Sequence, residues 1–149
     1  MEGLSNHYIT SILEPACIDF RGVFSANTIP VQLLKCETYA LVCNLSNAGE
    51  RGTHFVAIIV KRNRVLYLDS LGLPCVVPQI SGFLKRLNKP VFYNSQQIQH
   101  SSSKFCGFYC ILFVLYFCKP TTTPLLFETE ELLLNDATCV EKICELLNK

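Results

Sequence analysis

The side chains able to do chemistry stand in one chain order: His54, Asp69, Gln99 and Cys106. A thiol becomes a nucleophile when a base takes its proton, and an imidazole serves best when a carboxylate fixes its tautomer and stabilises the imidazolium. His54 and Asp69 bracket the most regular stretch of the chain, HFVAIIV (54–60), KRNR (61–64) and VLYLD (65–69). It reads as two strands joined by a polar turn, with both arms rich enough in β-formers to be buried on both faces. With the turn centred near residue 62, antiparallel partners carry numbers that sum to about 124. His54 then lies opposite or diagonal to Asp69 at the open end of the hairpin, and imidazole and carboxylate share one rim.

Cys106 stands in SSSKFCG (101–107), where the serines can cap a helix that begins just before the thiol. The unpaired N–H groups and the dipole of such a helix start favour thiolate. Gly107 leaves room for a peptide backbone to approach. Gln99 lies upstream in the polar loop QQIQHSSSK (96–104). Its amide and the backbone N–H of Cys106 can both donate to the oxyanion of a tetrahedral intermediate. Each residue alone has a plain structural explanation; the order His, Asp, Gln, Cys-Gly with His facing Asp points to hydrolysis by a cysteine nucleophile. Two rivals are close at hand. Cys110 is one helical turn beyond Cys106, where burial should silence it, and His100 sits on the loop rather than across from Asp69.

These residues need a scaffold. Ser5 or Asn6 can cap a first helix with Ile9, Ile12 and Leu13 on one face, ended by Pro15. Residues Phe20 to Pro30 are turn-rich, Tyr39 to Leu45 read as a mostly buried strand, and Ser46 to Thr53 as a loop. After a Gly/Pro turn at Leu71 to Pro74, Ile80, Phe83, Leu84 and Leu87 recur at helical spacing, and Pro90 to Tyr93 form a short strand. The uncharged run FCGFYCILFVLYFC (105–118), bounded by Lys104 and by Lys119-Pro120, falls short of the roughly 20 residues a bilayer requires and predicts a buried helix. A TTTP loop (121–124) then leads to an amphipathic helix with Cys139, Ile143, Leu146 and Leu147 on one face. The pattern predicts an α+β fold, a central mixed sheet flanked by helices, as a single domain over 1–149.

Composition narrows the function classes. Half of the 149 residues are hydrophobic and 17% are charged, the make-up of a packed globule rather than a disordered or collagenous chain. Thirteen Lys and Arg against 12 Asp and Glu leave a net charge of +1, with no long-range field toward nucleic acid or an anionic membrane. The clusters Lys61-Arg62-Arg64 and Lys85-Arg86-Lys89 read as solvated faces. The nine cysteines include no C-x2-C pair and no zinc-ligand spacing, so no metal is expected and most are small hydrophobes. The N-terminus lacks the pattern of a signal peptide. The expected setting is a reducing, intracellular one, and the expected state a monomer.

Gly52-Thr-His54-Phe55, Tyr67-Leu-Asp69-Ser-Leu-Gly72, and Gln99 followed by Cys106-Gly107-Phe-Tyr-Cys110 resemble the motifs of the adenovirus protease (adenain) and its relatives, the SUMO-deconjugating proteases of the Ulp/SENP type. The step from Gln to Cys is similar to that of adenain. The first helix, the Gly22-Val-Phe segment, the Tyr39 strand, the Asn47-Ala-Gly49-Glu50 loop and the closing helix also follow adenain-like order. The resemblance implies a papain-like, adenain-type cysteine protease fold with the nucleophile at the N-terminus of a buried helix. It makes Cys106 the nucleophile, His54 the base, Asp69 the orienting acid and Gln99 the oxyanion donor. Asp69 departs from the Glu typical of adenain and is similar to the Asp-Ser-Leu of the SUMO-protease branch. Phe55 stands where both branches usually carry Trp, as a wall of the substrate site.

The activity so implied is cleavage of polypeptide precursors after Gly-Gly or Gly-X-like sites. Virion maturation would be the task, within the host nucleus or cytoplasm and the virion. Deconjugation of ubiquitin or SUMO tails is the neighbouring activity, and an inactive binding module of the same fold is a third reading. Adenain-like enzymes are stimulated by a viral peptide joined through a disulfide, and by DNA. Here the position of the peptide-bonding Cys is Asn88, with Cys75 the nearest upstream thiol, and the charge is near neutral. The expectation is no required cofactor, weak or no DNA binding and no membrane association.

Overall fold

The computed structural model describes residues 4–50, 53–119, 121 and 125–148; Gly52 and most of the expected TTTP loop lie outside them. One sheet holds five strands in chain order, β1 (Phe20–Ser25), β2 (Tyr39–Asn44), β3 (Phe55–Val60), β4 (Val65–Leu68) and β5 (Val91–Tyr93). The outer pairs β1–β2 and β4–β5 are parallel and the inner pairs antiparallel, so the sheet is mixed as expected. Four helices flank it: α1 (Asn6–Ala16), α2 (Pro78–Arg86), α3 (Cys106–Cys118) and α4 (Asn135–Leu147).

Strands β2 and β3 have no polar face, and every residue of both is buried. Strand pleating sends alternate residues to opposite sides. Ala40, Val42, Phe55, Ala57 and Ile59 face the core shared with α1, α3 and α4. Tyr39, Leu41, Cys43, Val56, Ile58 and Val60 face that of α2 and the 3-10 helix Val31–Lys35. At about 1.5–3 kcal/mol per fully buried Ile or Leu, β3 is anchored from both sides, and His54 immediately precedes it. The other arm differs from expectation: Leu66 and Leu68 of β4 are only half-buried, on the face where α3 packs over β3 and β2.

The hairpin pairs Val60 with Val65 and Ala57 with Leu68, one residue beyond the register centred on residue 62. Extended to its open end, this ladder puts Asp69 opposite Val56 and therefore diagonal to His54, on the same face.

Ser5 caps α1, its Oγ accepting the Tyr8 N–H at 3.1 Å. Pro15 does not end the helix, which runs to Ala16 before the Cys17 N–H closes it on the Leu13 carbonyl at 2.9 Å. A proline in the last turn forfeits a single bond and keeps a helical φ, so the helix tolerates it. Half of the stretch expected as turns is strand β1. Its register slips between Phe20 and Val23, around Gly22 at φ 130°, and this bulge breaks the alternation that would have announced a strand. The apolar run forms α3, packed on β3, α1 and α4. Among the described residues no helix is long and apolar enough to cross a membrane. On α4, Cys139, Ile143 and Leu146 are buried as expected, whereas Leu147 is exposed at the rim of that face.

The two basic clusters converge at the far end of the hairpin from His54. Lys89 Nζ donates to the Lys61 carbonyl at 2.9 Å, and the Val65 N–H to that of Pro90 at 2.8 Å.

Candidate active site

His54 is held by the β2–β3 ladder, whose last bond runs from the Leu45 N–H to the His54 carbonyl at 2.9 Å. Its Nε2 lies 2.7 Å from Asp69 Oδ1, which leaves Nδ1 for a second partner. Cys106 lines the same cleft as the imidazole, and each shifts the ionisation of the other. Base, acid and thiol, from the ends of two strands and the start of one helix, therefore meet as a triad.

Asp69 sits on a reinforced turn. Its Oδ1 also accepts the Leu71 N–H at 2.8 Å, and its carbonyl accepts the Gly72 N–H at 2.8 Å. Asn94, just past β5, takes the Asp69 N–H on Oδ1 at 2.8 Å and donates Nδ2 to the Asp69 carbonyl at 2.6 Å. The Asn94 amide thus continues the parallel β4–β5 ladder by one rung and fixes the acid's backbone. Gly72 has φ 72°, and an added Cβ would lie 2.9 Å from backbone atoms of residues 95–97, so the turn admits only glycine without strain.

Cys106 opens α3. No side chain caps the helix at its N-cap, Phe105; of the serines expected to do so, Ser103 bonds the Phe105 N–H at 3.1 Å, ahead of the first turn. That leaves the helix's first N–H groups free for the sulfur. Burial opposes the thiolate, but the His54 hydrogen bond, the N–H groups of Phe55 and Gly107, and the imidazolium charge outweigh it and hold the thiol below its usual value of 9.0. For His54, burial opposes the charged form. Hydrogen bonding of the imidazolium to Asp69 and Cys106, and their negative charges, overcome this, pushing the imidazole up to about 9. The arrangement favours a thiolate–imidazolium pair, the reactive form of a cysteine nucleophile.

Gln99 is 2% exposed, with its amide fixed at both ends. Ser70 Oγ donates to Oε1 at 2.5 Å, and Nε2 donates to the Ser103 carbonyl at 2.9 Å, leaving the second Nε2 hydrogen as a donor. Gln99 and Cys106 line one cleft of about 730 Å³, together with His54, Phe55, Asn44 and Lys104. A second cleft of about 470 Å³ between α2 and β5, lined by Lys85, Lys89 and Tyr93 among others, has no cysteine or histidine in its lining.

The structure thus brings together all four residues singled out from the sequence, and Phe55 walls the cleft. Gly107 is buried next to Cys106, and Leu4 and Ile9 lie 3.1 and 3.3 Å from an added Cβ, so its lack of a side chain lets the start of the chain and α1 seat closely on the first turn of α3. The rivals stay outside the site. Cys110 is fully buried, and burial, then the charges of Cys106 and Asp69, push its thiol well up. His100 Nδ1 is engaged by Ser102, at 3.0 Å from its N–H and 2.7 Å from its hydroxyl.

Sequence reasoning missed the supports. Asn135, fully buried, donates Nδ2 to the carbonyls of Ile98 and Glu128 at 2.8 and 2.9 Å and accepts the Glu128 N–H at 2.8 Å. Asp136 receives Ser103 Oγ at 2.8 Å and the Tyr109 hydroxyl at 2.9 Å. The start of α4 therefore buttresses the loop that carries Gln99. Nothing in the pattern signals this, because Asn and Asp before a helix read simply as caps.

This is the fold of the Ulp/adenain-like cysteine proteases. The structure is similar to that of the ASFV protease, with a TM-score of 0.59 at 17% identity, over 81% of this chain and 60% of that one. It also aligns with the Chlamydia abortus effector ChlaDUB (TM-score 0.44, 21% identity, 72% of this chain and 57% of that one). AvrA aligns at a TM-score of 0.47 and 16% identity, over 95% of this chain and 53% of that one. The chain spans little more than half the length of these proteins. No protein-family model and no curated protein matches its sequence.

Proposed function

We propose that the chain is a cysteine endopeptidase that cleaves polypeptide precursors after Gly-Gly or Gly-X-like sites. The observation that carries this is His54, bonded through one ring nitrogen to Asp69 and lining one cleft with Cys106 and Gln99. In the first step the Cys106 thiolate attacks the scissile carbonyl carbon. The oxyanion that forms takes hydrogen bonds from the free Gln99 amide hydrogen and the Cys106 N–H. His54 passes its proton to the departing amine, leaving an acyl-enzyme. It then takes a proton from water as that water attacks the thioester, and the carboxylate product leaves. Asp69 keeps its charge throughout and holds the ring.

The likeness in fold to a viral protease favours virion precursors as substrates, inside infected cells and the virion. Deconjugation of ubiquitin-like tails is the neighbouring activity of the same site. No cofactor is assigned, and with the two basic clusters at the end of the hairpin remote from His54, DNA is not expected to act on the site.

The test is hydrolysis of a fluorogenic Leu-Arg-Gly-Gly peptide by the wild type and by Cys106→Ala, with and without duplex DNA at moderate salt. Turnover lost in the variant and unchanged by DNA supports the reading. Turnover that survives Cys106→Ala, or is absent from folded wild type, refutes the assigned activity.

A further inference from the structure

The turn that presents Asp69 also presents Ser70, and the two side chains reach different catalytic partners. Asp69 goes to His54, as above. Ser70 is 1% exposed, its carbonyl accepts the N–H groups of Ile98 and Gln99 at 2.9 and 3.0 Å, and its hydroxyl donates to Gln99 Oε1 at 2.5 Å. A glutamine amide can turn over, exchanging donor for acceptor at little cost unless its surroundings distinguish the two ends. Here the distinction comes from both sides. The Ser103 carbonyl demands a donor, and the Ser70 hydroxyl supplies one to the oxygen. In the turned amide the oxygen would face the Ser103 carbonyl, and no hydrogen would point to where the oxyanion forms.

Resting on the proposed protease reading, we propose that Ser70 is a positioning residue that fixes the Gln99 amide, so that one turn, Asp69-Ser70, aligns the base and the oxyanion donor together. Ser70 touches neither thiol nor imidazole, so its influence falls on stabilisation of the tetrahedral intermediate and leaves thiolate formation alone. Removing an oxyanion donor outright costs about 10²–10³ in kcat; losing only its alignment should cost about ten- to a hundredfold.

The experiment compares Ser70→Ala, Gln99→Ala and the double variant of the full chain on the Gly-Gly peptide, alongside alkylation of Cys106 by iodoacetamide. The expected result is that Ser70→Ala lowers kcat by that factor, holds KM and the alkylation rate within about twofold, and costs nothing further in the Gln99→Ala background. Losses that multiply in the double variant, an unchanged kcat, or a parallel fall in alkylation overturn the proposal. Ser70→Thr keeps the hydroxyl and should retain kcat; a Thr variant as impaired as Ala counts against it, and it decides the matter if Ser70→Ala does not fold. The Gln99 side-chain amide resonances of labelled protein give a readout independent of turnover. They should lie away from the free-glutamine positions and exchange slowly with solvent in wild type, and move to those positions with fast solvent exchange in Ser70→Ala. Identical signals in both sink the positioning role even if the chain is a protease, whereas an inactive wild type with the expected amide behaviour sinks only the protease reading.

Discussion

Removing the imidazole should switch off Cys106 as a thiolate, and the structure sets how far. In His54→Ala burial still opposes the thiolate, and only the N–H groups of Phe55 and Gly107 remain to favour it, because the hydrogen bond and charge of the imidazolium are gone. A hydrogen bond to a charged group is worth about 1.5–3 kcal/mol. At 1.36 kcal/mol per pKa unit, the thiol inflection should rise by about one to two units. At pH below the wild-type inflection the thiolate fraction, and with it the iodoacetamide rate at Cys106, should fall about ten- to a hundredfold. The assay is alkylation across about pH 4–10, followed thiol by thiol with peptide mass spectrometry. The other cysteines are the internal reference: burial pushes Cys43 and Cys118 up to about 12 and Cys139 higher still, while Cys144 is exposed and reports simple access. Wild type should label first at Cys106, and His54→Ala should label it no faster than Cys144. An unmoved inflection in His54→Ala, or indiscriminate labelling of wild type, would refute the ion-pair argument.

Activity should follow a bell in pH, its acid limb set by the depressed Cys106 thiol and its alkaline limb by His54 near about 9; Asp69→Asn should draw the alkaline limb down by about one to two units. Because the folded-state imidazole is raised from 6.5 to about 9, its protonation adds stability that is complete below about pH 6.5 and lost as pH rises through about 9. The stability advantage of wild type over His54→Ala in urea should shrink over that window, and a constant difference would contradict the shift. Gly72→Ala places a side chain at φ 72° and 2.9 Å from backbone; it should cost about 2 kcal/mol or more by thermal melt and lower kcat by shifting Asp69 and Ser70. Asn135→Ala strips three hydrogen bonds from a fully buried site. It should cost about 2–5 kcal/mol, a fall in Tm of roughly 5–15 °C; a melt unchanged within error would show the loop at Gln99 to be held by other contacts.

His54, Asp69, Gln99 and Cys106 were legible in the sequence because local rules govern them. A hairpin of β-formers fixes which residues share a rim, and an apolar run behind a polar loop fixes where a helix starts. The same rules found the buried core strands, α2, α3 and the inward face of α4. They missed β1, whose parallel partner β2 lies far along the chain and whose bulge at Gly22 hides the alternation. Asn94, Ser70, Asn135 and Asp136 lay beyond sequence reasoning for one reason. Each acts through a hydrogen bond to a residue 25 to 37 positions away, and no local pattern records such a bond. Residue types and spacing determined the chemistry this chain can do; packing of the loops at 69–72, 94–105 and 128–136 decided whether its parts are held in register, because their alignment depends on contacts that exist only after the sheet and helices have closed around them.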